Sequence, residues 1–310
     1  MDFLKWLQSI RNPILDWIMA TITHFGEETL FIVVALTVFW CLDKKRGYYL
    51  LFTGFTGIVG IQILKMAFRI PRPWVLDPNF SIVESAREAA TGYSFPSGHT
   101  QCAVTLYGAI SRSSKKRAVQ IGGIVLCLLV AFSRMYLGVH TPLDVGVSIV
   151  IGAILVLLFY PIVQKATSDP RFMYGLIGAT LLLALGNLLF VELYHFPADV
   201  DTVNLQDAKE VAWKMLFMMV GMLAIYPLDR HLIKFETKAV WWAQILKLAG
   251  GVAVVMAIRI LLKAPLNALV GASIGGGVRY LFVVLAAGTV WPLTFGFFSK
   301  LGQPKEQNQA

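Results

Sequence analysis

Long apolar stretches, each near the length of a membrane span, alternate with short polar segments along most of the chain. A helix that crosses the hydrocarbon core needs roughly 20 mostly apolar residues. Residues 13–25 form one weak run, which either crosses the membrane or lies in its interface as an amphipathic helix. The stronger runs are 28–42, 47–67, 98–112, 118–137, 142–163, 172–192, 211–228, 239–262 and 279–299. The pattern predicts an all-α, polytopic transmembrane helical bundle with nine or ten spans.

The polar segments between these runs carry most of their positive charge on one side of the predicted membrane. Basic clusters at 44–46 and 115–117 follow odd-numbered strong runs, whereas the segment 193–210, which follows an even-numbered run, is acidic. The positive-inside rule makes the basic side cytoplasmic. We therefore expect a multi-pass protein of the plasma (inner) membrane, with the segments 68–97 and 138–141 on the extracytoplasmic side.

Composition favours a membrane protein over other classes. The 310 residues are 57% hydrophobic and 15% charged, whereas a soluble domain is about 25% charged. The net charge of +9 falls in short clusters between apolar runs, so no nucleic-acid partner is expected. Cys41, Cys102 and Cys127 lie within apolar runs, away from any Cys/His cluster. They are predicted to be buried thiols, with no metal site and no cofactor.

The first group of chemically notable residues ends the run 47–67 and opens the long polar segment. Lys65 lies near the hydrocarbon boundary, where charge is costly and often functional. For Lys65 alone, snorkelling to the headgroups is the simpler interpretation. Arg72 is different, because Pro71 and Pro73 restrict the backbone on both sides of it and so direct its side chain.

The second group is Pro96-Ser97-Gly98-His99, where the long segment ends and an apolar helix begins. Ser97 is a natural N-cap, and a helix N-terminus that includes a glycine can bind an anion. His99 in the first turn can give a proton to a leaving group. Taken alone, a capped helix start with an interfacial histidine explains this group equally well.

The third group joins the runs 118–137 and 142–163. Arg134 lies near the end of the first of these helices, and Thr141 with Pro142 can cap and begin the second. Asp144 then falls close enough to reach back to His140, where a carboxylate on one ring nitrogen leaves the other free to attack. Capping alone also explains Asp144, but it leaves His140 and Arg134 unexplained.

Topology predicts that these groups form one site. Each occurs at the extracytoplasmic end of a separate span, so Lys65, Arg72 and Arg134 should lie at one membrane level with His99 and His140. Cations and a helix N-terminus suit an oxyanion, and two imidazoles suit an acid and a nucleophile. This is the inventory that phosphoryl transfer needs. No carboxylate cluster suited to Mg²⁺ accompanies it, so arginine and lysine would supply the positive charge.

The ordered residues resemble the three signature motifs of the type 2 phosphatidic acid phosphatase superfamily. The chain carries Lys-x6-Arg-Pro from Lys65, then Pro-Ser-Gly-His from Pro96, then Ser-Arg-x5-His-x3-Asp from Ser133. The resemblance covers about residues 10–165. It implies that His140 is a nucleophile forming a phosphohistidine and that Asp144 orients it. His99 would protonate the leaving group and then activate water.

The same resemblance implies the residues that hold the phosphate and the kind of enzyme. Phosphate oxygens would be held by Lys65, Arg72, Ser97, Gly98 and Arg134, without a metal, and vanadate would bind as a phosphate mimic. The apolar runs favour the lipid phosphatase branch, whose core is a six-helix bundle, over the soluble relatives.

The expected function is metal-independent hydrolysis of a membrane lipid phosphate at the extracytoplasmic face. Undecaprenyl diphosphate or a phospholipid phosphate is the expected substrate. Two alternatives remain open: a lipid phosphotransferase using the same site, and a non-catalytic protein that binds or transports lipid phosphate. The oligomeric state is also open.

Two domains are predicted, a phosphatase core at 1–168 and an extension of about three further spans at 169–310. The role of the extension is not predicted. Its charged residues Lys247, Arg259 and Arg279 are interpreted as snorkelling or packing groups, although a headgroup or partner contact is the alternative.

Overall fold

The computed structural model describes residues 1–301, which form helices joined by short turns and one long loop. The helices are α1 (Asp2–Ser9), α2 (Pro13–Thr23), α3 (Glu28–Thr37), α4 (Lys44–Phe68), α5 (Pro73–Leu76), α6 (Gly98–Ala103), α7 (Ala109–Ser113), α8 (Arg117–Tyr136), α9 (Pro142–Ser168), α10 (Pro170–Leu193), α11 (Thr202–Leu228), α12 (Trp241–Leu261), α13 (Lys263–Val270), α14 (Ala272–Leu285) and α15 (Phe295–Lys300). A π-helical turn at Val104–Gly108 joins α6 to α7, and similar turns extend α3, α11 and α14. The predicted all-α polytopic fold is confirmed.

The number of spans is lower than the nine or ten predicted. Among the described residues, seven helices are long and apolar enough to cross a membrane, or up to eight if a bent pair counts as one span. The bent pair is Pro13–Gly26 with Glu28–Leu42, which meet at 50°. The remaining predicted run falls on α6 and α7, and residues 98–113 are too short to pass the same test of length.

Two segments between the predicted runs are more helical than expected. Between the runs 239–262 and 279–299, α13 and α14 meet at Gly271, whose φ of 81° lies in the region that glycine adopts without penalty. The segment 193–210 is reduced to residues 194–201 between α10 and α11. The helices therefore continue past the apolar runs by which we predicted them.

Helix starts follow the capping signals in the sequence. Asn12 caps α2 by accepting a hydrogen bond from the backbone N–H of Leu15 at 3.0 Å, and Pro13 occupies the first helical position. The predicted cap at Ser97 is confirmed, since its hydroxyl accepts from the N–H of Thr100. Thr141 likewise accepts from the N–H of Asp144 at 3.3 Å, ahead of α9.

The chain divides into two compact units that are not consecutive in sequence. The first unit contains residues 1–32, 49–164 and 189–208, and the second contains 33–48, 165–188 and the described residues from 209 onward. Each of the three motifs lies in the first unit. The boundary predicted near residue 168 stays a prediction.

Within the first unit, the long loop after α5 is held in place by an apolar cluster. Phe80 and Ile82 of the loop pack with Leu4 and Leu7 of α1 and with Val139. Arg11 adds hydrogen bonds to the carbonyl oxygens of Tyr136 and Ser81. The loop therefore has a packed core of its own, which holds its last residues at the ends of α4, α8 and α9.

In the second unit, aromatic rings and buried polar groups pack the helices. Lys44 at the start of α4 pairs with Asp229 at 2.8 Å and lies over the ring of Phe235. The indole of Trp40 donates to the carbonyl oxygen of Ala287 at 3.0 Å. Glycine also permits close packing here, because a Cβ on Gly277 would fall 2.7 Å from the ring of Phe217.

Candidate active site

The C-terminal end of α4 and the turn after it supply two buried cations. Lys65 is 8% exposed, and its Nζ donates to the carbonyl oxygen of Tyr93 at 2.7 Å. Arg72 is 6% exposed and donates to the carbonyl oxygens of Thr91, Gly92 and Val139 at 2.6, 3.0 and 2.9 Å. Backbone carbonyl oxygens at the end of the long loop therefore hold both side chains in place.

The start of α6 supplies the first histidine. Gly98 and His99 line a cavity of about 350 Å³, and Nε2 of His99 is buried without a hydrogen-bond partner. Ser97 does not line this cavity, because its side chain is fully buried and accepts from Thr100, whose Oγ1 lies 2.9 Å away. Its predicted contact with phosphate stays a prediction.

Arg134 of α8 is fully buried at the end of its helix. Nη1 donates to Oγ1 of Thr23, at the end of α2, at 2.7 Å, while Nε and Nη2 have no partner. Arg134 does not line the cavity, but its charge acts on the ionisation of His140. Two donor nitrogens of this guanidinium thus remain available.

His140 and Asp144 form a buried pair, each about 1% exposed. Nδ1 of His140 lies 3.5 Å from Oδ2 of Asp144, which is longer than an ordinary hydrogen bond, and Nδ1 has no hydrogen-bond partner. The same carboxylate oxygen accepts from Oγ of Ser94 at 2.6 Å and from the N–H of Thr141 at 2.7 Å. Its direction is therefore set by three neighbours.

The other ring nitrogen of His140 faces a cation. Nη1 of Arg72 lies 2.9 Å from Nε2 of His140. Because a guanidinium can only donate, Nε2 carries the lone pair and Nδ1 carries the proton that points toward Asp144. Burial lowers the pKa of His140 well below its ordinary value of 6.5, and the charges of Arg72 and Arg134 lower it further. The imidazole is therefore neutral, and nucleophilic at Nε2, at neutral pH.

The structure brings most of the predicted site residues to one place. Lys65, Arg72, Gly98, His99 and His140 line the same cavity, although they come from the ends of α4 and α6 and from the turn before α9. Positive side chains and an N-terminal helix turn beside a neutral imidazole can hold an oxyanion next to a nucleophile.

Sequence reasoning missed the residues that hold Asp144 and Arg134 in place. Ser94 fixes Asp144 and Thr23 fixes Arg134, and neither belongs to a motif. Ser94 lies two residues before Pro96, but its type and position do not indicate that it faces α9. Charged residues of the long loop form two surface pairs, Lys5–Asp77 and Arg87–Glu84. The loop contributes Ala89 and Thr91 to the cavity instead.

Two family models match the chain. Residues 46–168 match the PAP2 superfamily, and residues 213–304 match a model described as the transmembrane extension of PAP2 superfamily phosphatases. The first match spans every motif residue, and the second falls in the region predicted as an extension.

Curated relatives match about half of the chain. Undecaprenyl-diphosphatase BcrC of Bacillus subtilis is 30% identical over 155 residues, covering 49% of this chain and 77% of that protein. Phosphatidylglycerophosphatase B of B. subtilis is 30% identical over 166 residues, covering 48% and 75%. A probable sphingosine-1-phosphate phosphatase of Dictyostelium discoideum is 33% identical over 164 residues, covering 48% and 39%. These names refer to three different lipids.

Proposed function

Since the chain belongs to the PAP2 superfamily and is a membrane phosphatase of that family, we propose that it hydrolyses a lipid phosphate through a covalent intermediate on His140. The observation that carries the proposal is the cavity in which the buried His140 and the half-buried His99 meet Lys65 and Arg72. The names of the relatives above are those of lipid phosphatases. The seven or eight candidate spans support a location of the enzyme in a membrane.

In the first step, Nε2 of His140 attacks phosphorus and the bond from phosphorus to the leaving oxygen breaks. Arg72 transfers its hydrogen bond from Nε2 to a phosphate oxygen as the substrate binds, and Lys65 and Arg134 share the remaining negative charge. His99, which takes up a proton as the phosphate anion binds beside it, gives that proton to the leaving oxygen. Asp144 holds the proton on Nδ1 and stabilises the charge that the ring acquires.

In the second step, water replaces the histidine. His99, now neutral, takes a proton from the water, whose oxygen attacks phosphorus as the bond to Nε2 breaks. Inorganic phosphate leaves and His140 returns to its starting state. The positive charge throughout comes from lysine and arginine, and we propose that no metal ion takes part.

The proposed location of the site is the extracytoplasmic face of the plasma membrane. The site residues lie at the C-terminal ends of α4 and α8 and at the N-terminal ends of α6 and α9. The opposite ends of these helices carry the basic clusters 44–46 and 115–117, which supports a cytoplasmic position for those ends.

Phosphate release by the purified protein in detergent tests the proposal. Undecaprenyl diphosphate, phosphatidylglycerol phosphate, phosphatidic acid and an aryl phosphate are compared with EDTA present. We expect release from at least one lipid and inhibition by vanadate. Absence of release from all of them contradicts the proposed reaction, and inhibition by EDTA that Mg²⁺ reverses contradicts the metal-free mechanism.

A further inference from the structure

The catalytic cavity continues along α4, away from the histidines. Its α4 wall has the spacing of one helix face, with members at i, i+4, i+7, i+8 and i+11. These residues are Gly54, Ile58, Ile61, Gln62 and Lys65. Gly54 and Lys65 are eleven residues apart, which corresponds to about 16 Å along a helix. The cavity thus leads from the phosphate site toward the middle of α4, at hydrocarbon depth.

The opposite wall is one face of the helix that begins at Gly98. Gly98, Gln101, Cys102 and Thr105 recur at i, i+3, i+4 and i+7, and all four line the cavity. His99 lies at the entrance to this groove, next to the proposed position of the leaving oxygen. The lipid part of a substrate bound at His140 must lead away from that oxygen, and the groove begins there.

Gln101 is the unusual member of this wall. Its side chain is 2% exposed, and both Oε1 and Nε2 are buried without a hydrogen-bond partner. A buried amide without partners is costly, and a ligand that offers both a donor and an acceptor removes that cost. Gly57 of α4 makes room for the amide, since a Cβ at position 57 would lie 2.9 Å from Nε2.

We propose that this groove binds the head-proximal part of the lipid and that Gln101 hydrogen-bonds a polar group within a few bonds of the phosphoester. The inference rests on the proposed function and narrows its substrate class. Glycerolipid esters and sphingoid amino alcohols carry a carbonyl, hydroxyl or amine at that distance. An isoprenoid monophosphate presents only C–H groups there and leaves the amide unpaired.

The test compares lipids that differ only near the phosphoester. With the wild-type protein, kcat/KM is measured for lysophosphatidic acid, sphingosine phosphate, an alkyl phosphate of matched chain length and farnesyl monophosphate. We expect the first two to exceed the alkyl phosphate by about fivefold to tenfold, the range of one neutral hydrogen bond. This arm needs no variant, so it does not depend on the folding of one.

Two variants then assign the preference to Gln101. Gln101→Met removes the amide at similar volume, and Gly57→Ala displaces it by filling the space beside Nε2. Both should lower kcat/KM for lysophosphatidic acid and sphingosine phosphate to about that of the alkyl phosphate. The matched control is Asn187→Leu, because Asn187 is also fully buried with both amide atoms unpartnered but lies on α10 and does not line the groove. It should keep the preference.

Each other outcome has a definite meaning. Equal turnover of the matched lipids by the wild type, or a preference that survives both variants, overturns the role of Gln101. An equal loss on all four substrates in Gln101→Met and in Gly57→Ala also overturns it, because the amide then serves packing alone. No phosphate release from any lipid by the wild type overturns the proposed function itself, and this inference with it.

Discussion

The two units of the chain both bury charged side chains, but they use them differently. In the first unit, Lys65, Arg72 and His140 share one cavity, and donor groups of Arg134 and His99 remain unpaired beside them. In the second unit, the buried charges contact separate groups, although Nε and Nη1 of Arg279 also lack hydrogen-bond partners. Lys247 donates to the carbonyl oxygen of Thr237 and lies over the ring of Phe295, Asp229 pairs with Lys44, and Arg279 lies near the ring of Tyr280.

This contrast indicates which buried charged residues of a membrane protein are candidates for an active site. Burial alone does not, because Lys247 is 1% exposed and Lys65 is 8% exposed. What distinguishes Lys65 is convergence, because Arg72 and two histidines line the same cavity. The contacts of Lys247 agree with helix packing, the interpretation that the sequence favoured. We therefore expect substitutions in the first unit to change the reaction rate, and substitutions in the second to change stability.

The largest expected effect is that of His140→Ala. Loss of the nucleophile removes the covalent route, so phosphate release per folded molecule should fall by about 10⁴-fold or more. Lys247→Met is the comparison from the second unit, with activity within about threefold of the wild type and a lower melting temperature. Substantial turnover by His140→Ala, or loss of turnover by folded Lys247→Met, breaks the contrast between the units.

Arg72→Lys tests whether charge alone is enough at the site. One guanidinium binds three carbonyl oxygens and Nε2 of His140 at once, and an ammonium cannot reproduce that fork. We expect kcat/KM to fall by roughly 10²-fold and vanadate inhibition to weaken.

The control for Arg72→Lys is Arg112→Lys, at the C-terminal end of α7. Arg112 lies over the ring of Tyr160, 4.4 Å from its centroid, and should tolerate the change. If Arg72→Lys retains full activity, Arg72 acts only as a point charge and its fixed geometry does not matter.

Ser94→Ala should give a smaller and more selective effect. The hydroxyl holds Oδ2 of Asp144 at 2.6 Å, so its loss lets the carboxylate turn away from Nδ1 of His140 while the phosphate ligands stay in place. We expect kcat to fall by roughly tenfold with little change in KM. Ser94→Thr, which keeps a hydroxyl, should recover part of the rate. A loss confined to KM or to the melting temperature contradicts a positioning role.

The sequence predicted which residues lie together better than it predicted the number of spans, because the two predictions depend on different information. Motif spacing places His140 and Asp144 four residues apart across a helix start, so local geometry alone brings them together. The span count depends on length thresholds instead. It failed where residues 98–113 form a helix of marginal length and where a bend joins Pro13–Gly26 to Glu28–Leu42.

The sequence could not predict the contacts of Ser94 and Thr23 or the proposed role of Gln101, because all three depend on long-range packing. Ser94 reaches Asp144 across 50 positions of sequence, and Thr23 reaches Arg134 across 111. A serine in a loop and a glutamine in a helix have many ordinary interpretations. Only the folded positions of α4, α6 and α9 distinguish among them.

The smallest expected effect on rate is that of Asp229→Asn in the second unit. Asp229 accepts from Lys44 at 2.8 and 3.0 Å and from the N–H of Phe235 at 3.3 Å, while Lys44 lies 3.6 Å from the centre of the Phe235 ring. Asparagine retains a weaker hydrogen bond but leaves Lys44 largely buried without its counter-charge.

The melting temperature of Asp229→Asn should fall by a few degrees, whereas kcat/KM per folded molecule should stay within about twofold. Thermal melting and phosphate release measured on one preparation separate the two quantities. A loss of rate without a loss of stability would mean that the second unit takes part in the reaction, and the contrast between the units would then hold only for the placement of the histidines.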